Sequence, residues 1–146
     1  MQQSNGIHNA QLAVCGARRN GIDRLSLSGE LDRSSVRLLE RQLTLVVHVA
    51  GAVILDLRDL VSIDAWGLRL MERAARRARS GPWRLAMVAG QGAVRDAFVR
   101  AGIGHLLSGP ELSDLLDAGA GEWSPVALSP LRRQVSVRRQ AVLETL

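Results

Sequence analysis

Apolar and polar positions alternate first in Leu12-Ala13-Val14-Cys15 and again in Leu25-Ser26-Leu27-Ser28-Gly29, with Asn20-Gly21 between them. A period of two marks a half-buried strand, and Asn-Gly supplies the positive φ of a two-residue turn, so this segment predicts a β-hairpin. Beyond Gly29-Glu30-Leu31, Asp32 is placed to cap a helix by accepting from the amides near Ser34 and Ser35. Val36, Leu39, Leu43, Val46 and Val47 then recur at helical spacing, with Arg37, Glu40 and Arg41 on the opposite side. Ala52 to Leu57 is apolar without alternation, the pattern of a central strand covered on both faces. A crossing loop leads on to Asp64, which stands where the cap of the next helix belongs. That helix is predicted from about Trp66 to Arg79, with Leu68, Met71, Ala75 and Ala78 inward, and Ser80-Gly81-Pro82 stops it.

Arg84 to Ala89 reads as the next strand and Gln91 to Ala101 as a third helix, apolar at Val94, Ala97, Phe98 and Ala101. Ile103 to Leu107 is expected as a last short strand. Pro110 to Ala118 is expected as a fourth helix on Leu112, Leu115 and Leu116. The order β-β-α-β-α-β-α-(β)-α predicts an α/β fold: a mixed sheet of four to five strands, opened by the hairpin and wrapped by crossover helices.

The character of the chain changes near Ala120. Residues 1–120 read as one domain, and 121–146 as a Pro/Ser linker with Ser124-Pro125 and Ser129-Pro130, followed by a basic tail. Arg132, Arg133, Arg138 and Arg139 stand among Leu131, Val135, Val142 and Leu143. That pattern suits either an amphipathic helix on a partner or anionic membrane surface, or a solvated tail. With 146 residues, 47% of them hydrophobic, the chain can bury a real core. No apolar run approaches the ~20 residues of a membrane span, and Met1-Gln2-Gln3-Ser4 lacks the features of a signal peptide. A single cysteine, Cys15, excludes an internal disulfide, and a cytoplasmic protein is expected. Cys15 itself reads as a small apolar residue of the first strand.

All 19 basic residues are arginine. The absence of lysine excludes a P-loop lysine, a Schiff-base lysine and the lysine of a phospho-receiver. The net charge of +5 is spread over several elements with acids between them, and one phenylalanine with no tyrosine leaves little for base stacking. Nucleic-acid binding is therefore not expected. Asp56, Asp59 and Asp64 could suggest a metal or phosphoryl site, but no second acidic cluster accompanies them, and capping explains them more simply. His8, His48 and His105 share no zinc-ligand spacing, and Gly90-Gln91-Gly92 is too short for a phosphate loop. No metal, cofactor or enzymatic activity is expected.

Leu27-Ser28-Gly29-Glu30-Leu31-Asp32 before a helix, Val53-Ile54-Leu55-Asp56-Leu57, and Ile63-Asp64-Ala65-Trp66-Gly67-Leu68 together resemble the STAS domain. This is the module of bacterial anti-sigma factor antagonists, also found on sulfate transporters, and the resemblance runs from about Leu12 to Ala118. It implies a protein partner, an anti-sigma factor that is also a kinase. In that family a serine directly after the loop aspartate is phosphorylated and the complex breaks. A phosphate there meets the helix dipole favourably, but its ~−2 charge disrupts a packed interface. Here the aspartate is Asp64 and the acceptor position is Ala65, which has no hydroxyl. The resemblance places partner contacts at Asp32, Ser62, Asp64, Ala65, Trp66, Gly67, Arg69 and Leu70. Trp66 is either an exposed anchor in that interface or a ring folded back onto the sheet edge. Ser62, Ser34 and Ser35 are the alternative hydroxyls, and Trp83 and Trp123 are expected to pack a strand end and the linker. The other function open to such a domain is that of a regulatory or structural subunit of a larger assembly, such as a membrane transporter.

Overall fold

A computed structural model describes residues 6–8, 12–49, 51–118 and 122–126. The hairpin forms where the alternation places it, as β2 (Leu12–Arg19) and β3 (Ile22–Leu31). Asn20 and Gly21 both take positive φ, 53° and 79°, and join Arg19 to its partner Ile22. That is the two-residue turn whose twist matches the strands. After β3 follow α1 (Val36–Val49), β4 (Ala52–Ile63), α2 (Ala65–Ser80) and β5 (Arg84–Val88). The strands β3, β4 and β5 are parallel neighbours, so α1 and α2 are the crossover helices between them. The fold is the mixed α/β sheet that the element order predicts.

Several boundaries differ from expectation. The strand predicted to end at Leu57 continues to Ile63, so no crossing loop intervenes before Asp64. Asp59 to Ile63 pair with Ser28 to Leu31, and two register shifts, near Ser26/Ser28 and Gly29/Glu30, let the polar residues of this stretch stay in the ladder. The expected strand at Ile103–Leu107 is a 3₁₀ turn at Gly104–Leu106, with a single parallel bridge from Leu107 to Met87. It follows α3 (Ala93–Arg100) and precedes α4 (Pro110–Asp117). Two short strands were not expected. β1 (Gly6–His8) and β6 (Ser124–Val126) both pair antiparallel with β2, against Ala13–Cys15 and Gly16–Arg18 respectively. They share its outer edge end to end. Ser124-Pro125, expected as linker, is therefore part of the sheet, and residues 127–146, with the basic tail read as either helical or solvated, lie outside the described residues.

The main core joins the sheet to α1, α2 and α3 through Val14, Leu27, Leu39, Leu55, Met71 and Phe98, all 1% exposed or less. Each such side chain contributes about 1.5–3 kcal/mol. α1 buries Val36, Leu39, Leu43 and Val46 as its periodicity predicts; Val47 lies outside the residues described in side-chain detail. α2 is rotated from the expected face. It buries Gly67, Leu70, Met71 and Ala74, while Leu68, Ala75 and Ala78 are half-buried. A helix that meets both the sheet and a neighbouring helix needs a wide apolar arc, and small residues leave its orientation undetermined. Ala101 and Leu115, expected inward, are exposed, since eight-residue helices present only one narrow face. A second cluster of Ile54, Val88 and Leu116, with Leu112 and Trp123 against it, covers the other face of the sheet.

Candidate interaction site at the start of the second crossover helix

The carboxylate of Asp64 fixes the geometry here. Its backbone is extended (φ −104°, ψ −174°), as an N-cap requires, and Oδ1 accepts from the Gly67 amide at 3.0 Å. Oδ2 accepts from the Arg33 amide at 3.1 Å, and the Asp64 amide donates to the Leu31 carbonyl at 3.1 Å. One residue thus ties the end of β3, the turn before α1 and the start of α2 together. Gly67 allows the closeness of these parts. A Cβ there would stand 2.7 Å from Ile63 Cγ1 and 3.0 Å from the Leu31 carbonyl oxygen.

The turn from Asp32 to Ser35 is held in the same way. Asp32 Oδ1 accepts from the Ser34 amide at 2.9 Å and its hydroxyl at 2.7 Å. The Ser34 hydroxyl bond is the main reason the Asp32 carboxyl sits below its ordinary pKa. The Ser35 hydroxyl donates to the Glu30 carbonyl at 2.9 Å and accepts from the Asp32 amide at 3.0 Å. Asp32 therefore accepts from the Ser34 amide as expected, but it closes the turn to Ser35 rather than capping α1, which begins at Val36. Ser35 is fully buried, which removes it from the accessible hydroxyls, whereas Ser34 and Ser62 are exposed.

On this frame Ala65 and Trp66 stand outward as the first two residues of α2. The Trp66 ring is 44% exposed, with the guanidinium carbons of Arg33 and Arg69 each 5.4 Å from its centroid. Of its two readings, the exposed one is the structure. Two cations beside the ring hold it outward against the tendency of an indole to bury. Val61, at the end of β4, is 66% exposed. Gly67 and Leu70 depart from the expected contact set. Both are buried, Leu70 at 3%, and they support the helix from beneath. The outward set is Ser62, Ala65, Trp66 and Arg69, with Arg33 added, while Asp32 and Asp64 are half-buried organisers. Arg33 was not distinguished in the sequence because nothing local brings it to Trp66.

A second charged constellation lies on the face covered by α4. Asp56, 5% exposed, accepts from Arg24 Nη2 at 2.8 Å and from Arg58 Nε and Nη2 at 2.8 and 2.9 Å. Arg58 Nη1 continues to Asp117 of α4 at 2.9 Å. Burial alone would push the Asp56 carboxyl up; the hydrogen bonds from Arg58 and Arg24 outweigh it and hold the group below its ordinary value. The hydrogen bond that Arg58 donates to Asp56 in turn raises the pKa of the Arg58 guanidinium. Arg24 and Arg19 also lie over Trp123, at 5.4 and 4.6 Å. Asp56 is thus a structural anchor for α4 and the Trp123 segment. Trp83 packs against the main core beside β5, and Trp123 covers the sheet rather than a linker. Among the described residues no three His, Cys, Asp or Glu side chains group as metal ligands, and no helix is long and apolar enough to cross a membrane.

The family model described as "Mlab, STAS domain" matches residues 15–108, which is most of the chain and contains this whole site. The chain belongs to the STAS domain family. A crystal structure of an anti-sigma factor antagonist from Mycobacterium paratuberculosis has the same fold, with a TM-score of 0.63 at 21% identity over 72% of this chain and 91% of that one. The anti-sigma factor antagonist SpoIIAA in its unphosphorylated form aligns with a TM-score of 0.56 at 18% identity, over 70% of this STAS chain and 95% of that one. The Bacillus cell fate determinant SpoIIAA in its phosphorylated form aligns with a TM-score of 0.50 at 17% identity, over 70% and 98%. No curated protein sequence matches the chain.

Proposed function

We propose that this STAS domain is a non-enzymatic regulator that binds an anti-sigma factor of the kinase type through the start of α2. The observation that carries this reading is the exposed pair Ala65-Trp66 on the Asp64 cap: no hydroxyl at residue 65, where the family's phosphoacceptor is expected, and a presented aromatic directly beside it. A large amphipathic ring held outward on a rigid frame is the usual form of an interface hot spot. Arg33 and Arg69 add charge for orientation. Lacking an acceptor at residue 65, the complex is not released by phosphorylation there.

The reading is tested by titrating the chain against kinase-type anti-sigma factors of its source organism, with and without ATP. Trp66→Ala weakens binding by about thirtyfold, a hot-spot loss of about 2 kcal/mol. ATP leaves the wild-type complex intact but dissociates that of Ala65→Ser. Phosphorylation of the wild type within residues 62–67, or binding by the Trp66→Ala variant at full strength, refutes it. The missing hydroxyl also suits a second reading, a permanent subunit of a larger assembly such as a membrane transporter, which needs no release. Stoichiometric co-purification with membrane components, without affinity for any anti-sigma factor, would favour that reading.

A further inference from the structure

The charge, which along the sequence is spread over several elements, is not evenly distributed over the fold. α1 and α2 carry seven arginines and two glutamates, a net +5 equal to that of the whole sequence, so the remainder sums to zero. Arg73 pairs with Glu40 across the two helices at 3.3 Å, and Arg76 with Glu72 at 3.7 Å. Arg37, Arg41, Arg69, Arg77 and Arg79 are exposed and have no ion-pair partner among the described residues. Between the helices lies a cleft of about 220 Å³, floored by Leu43, Leu70, Ala74 and Trp83 and rimmed by Thr44, Arg77 and the Glu40–Arg73 pair.

We propose that the α1–α2 face docks on an anionic phospholipid surface, with the arginines on headgroup phosphates and the cleft open to acyl carbon between them. Charge complementarity selects this occupant. A specific protein interface centres on an apolar core, whereas here the exposed large apolar residue, Trp66, lies at one end and the rest of the face carries dispersed arginines. Dispersed guanidiniums match a plane of phosphates, each of which can accept two parallel N–H bonds. Among the described residues outside these helices eight arginines face eleven carboxylates, and this opposite charge also orients the molecule as it approaches such a plane. This surface lies along the helices and meets the proposed anti-sigma contact only at Trp66 and Arg69; Arg37, Arg41 and Arg77 lie outside that contact.

The test is co-sedimentation with phosphatidylcholine vesicles containing phosphatidylglycerol, against phosphatidylcholine alone. The full chain is used with Arg132, Arg133, Arg138 and Arg139 each changed to Gln, so that the tail contributes no charge. Each arginine near an anionic surface is worth about fivefold in partitioning. Arg37→Gln/Arg41→Gln/Arg77→Gln is therefore expected to lose about a hundredfold, and the parent to release between about 0.1 M and 1 M salt as the screening length falls from ~10 to ~3 Å. A circular-dichroism melt matching the parent's shows that the triple variant is folded; should it melt lower, Arg37→Gln alone, expected to lose about fivefold, takes its place. Equal binding to both vesicle types, undiminished binding by the triple variant, or no binding at all overturns the proposal. Retention on polyglutamate without binding to vesicles also overturns it and assigns the face to an acidic protein.

Discussion

Asp56→Asn is expected to be among the most damaging polar substitutions in this protein. The amide keeps the volume of the carboxylate but removes the charge that three guanidinium nitrogens address. Removing one member of a buried ion pair costs about 3–5 kcal/mol, chiefly for the charge left unpaired. The Arg24 and Arg58 side chains are still 18% and 22% exposed, and Arg58 keeps Asp117, so the lower end, about 3 kcal/mol, applies here. In a chain of this size that is a fall of roughly 6–12 °C in Tm. Urea unfolding at pH 7 measures the loss, and Asp56→Asn/Arg58→Gln should recover part of it because fewer cations are stranded. The pH dependence gives a second check. The folded Asp56 carboxyl lies below its unfolded value of about 3.9, so its stabilisation is complete above that pH and is lost as pH falls through the folded value. The difference between wild type and Asp56→Asn should therefore be constant from pH 7 to about pH 5 and shrink below about pH 4. A difference under about 1 kcal/mol at pH 7, or one unchanged on acidification below pH 4, would refute the network's role.

The frame of the interaction site makes predictions of its own. Gly67→Ala gains up to about 1 kcal/mol of helix propensity, but its Cβ meets a backbone carbonyl that cannot move aside. Overpacking of about 1–3 kcal/mol should win, so a stabilised variant in urea unfolding would contradict this geometry. Asp64→Ala leaves the Gly67 and Arg33 amides without an acceptor and should cost about 1–2 kcal/mol by the same assay. Phe98→Ala, at a fully buried position, should cost about 3–5 kcal/mol; a loss below about 1 kcal/mol would show that α3 is not part of the core.

What the sequence revealed follows the range of the interactions involved. The hairpin was legible because Asn20 and Gly21 carry the turn themselves, and the Asp64 cap because its acceptor lies three residues from the amide it serves. Alternation and helical period likewise marked every crossover helix. The length of β4 was not legible, since Asp59 and Ser62 break the apolar run and stay in the strand through pairing with Ser28 and Glu30 of β3. The Asp56 network was hidden by separation, with Arg24 thirty-two residues before it and Asp117 fifty-nine residues beyond Arg58. Periodicity could not say whether Trp66 faces out, because that depends on the rotation of α2 set by Gly67 against Leu31. Gly67 and Leu70 were placed at the surface for the same reason. Residues near a motif need not share its exposure.

The pairing of β6 with β2 bears on how this chain is synthesised. Gly16, Ala17 and Arg18 belong to the first strand of the hairpin, yet their outer partners are Val126, Pro125 and Ser124. A ribosome must deliver more than a hundred further residues before that edge is closed. Until then the nascent sheet carries a row of unsatisfied amides and carbonyls beside fully formed neighbours, a template for pairing with another chain. A protein cut after Ala118 should fold around the same core yet self-associate in sedimentation, and a longer one that retains Val126 should not.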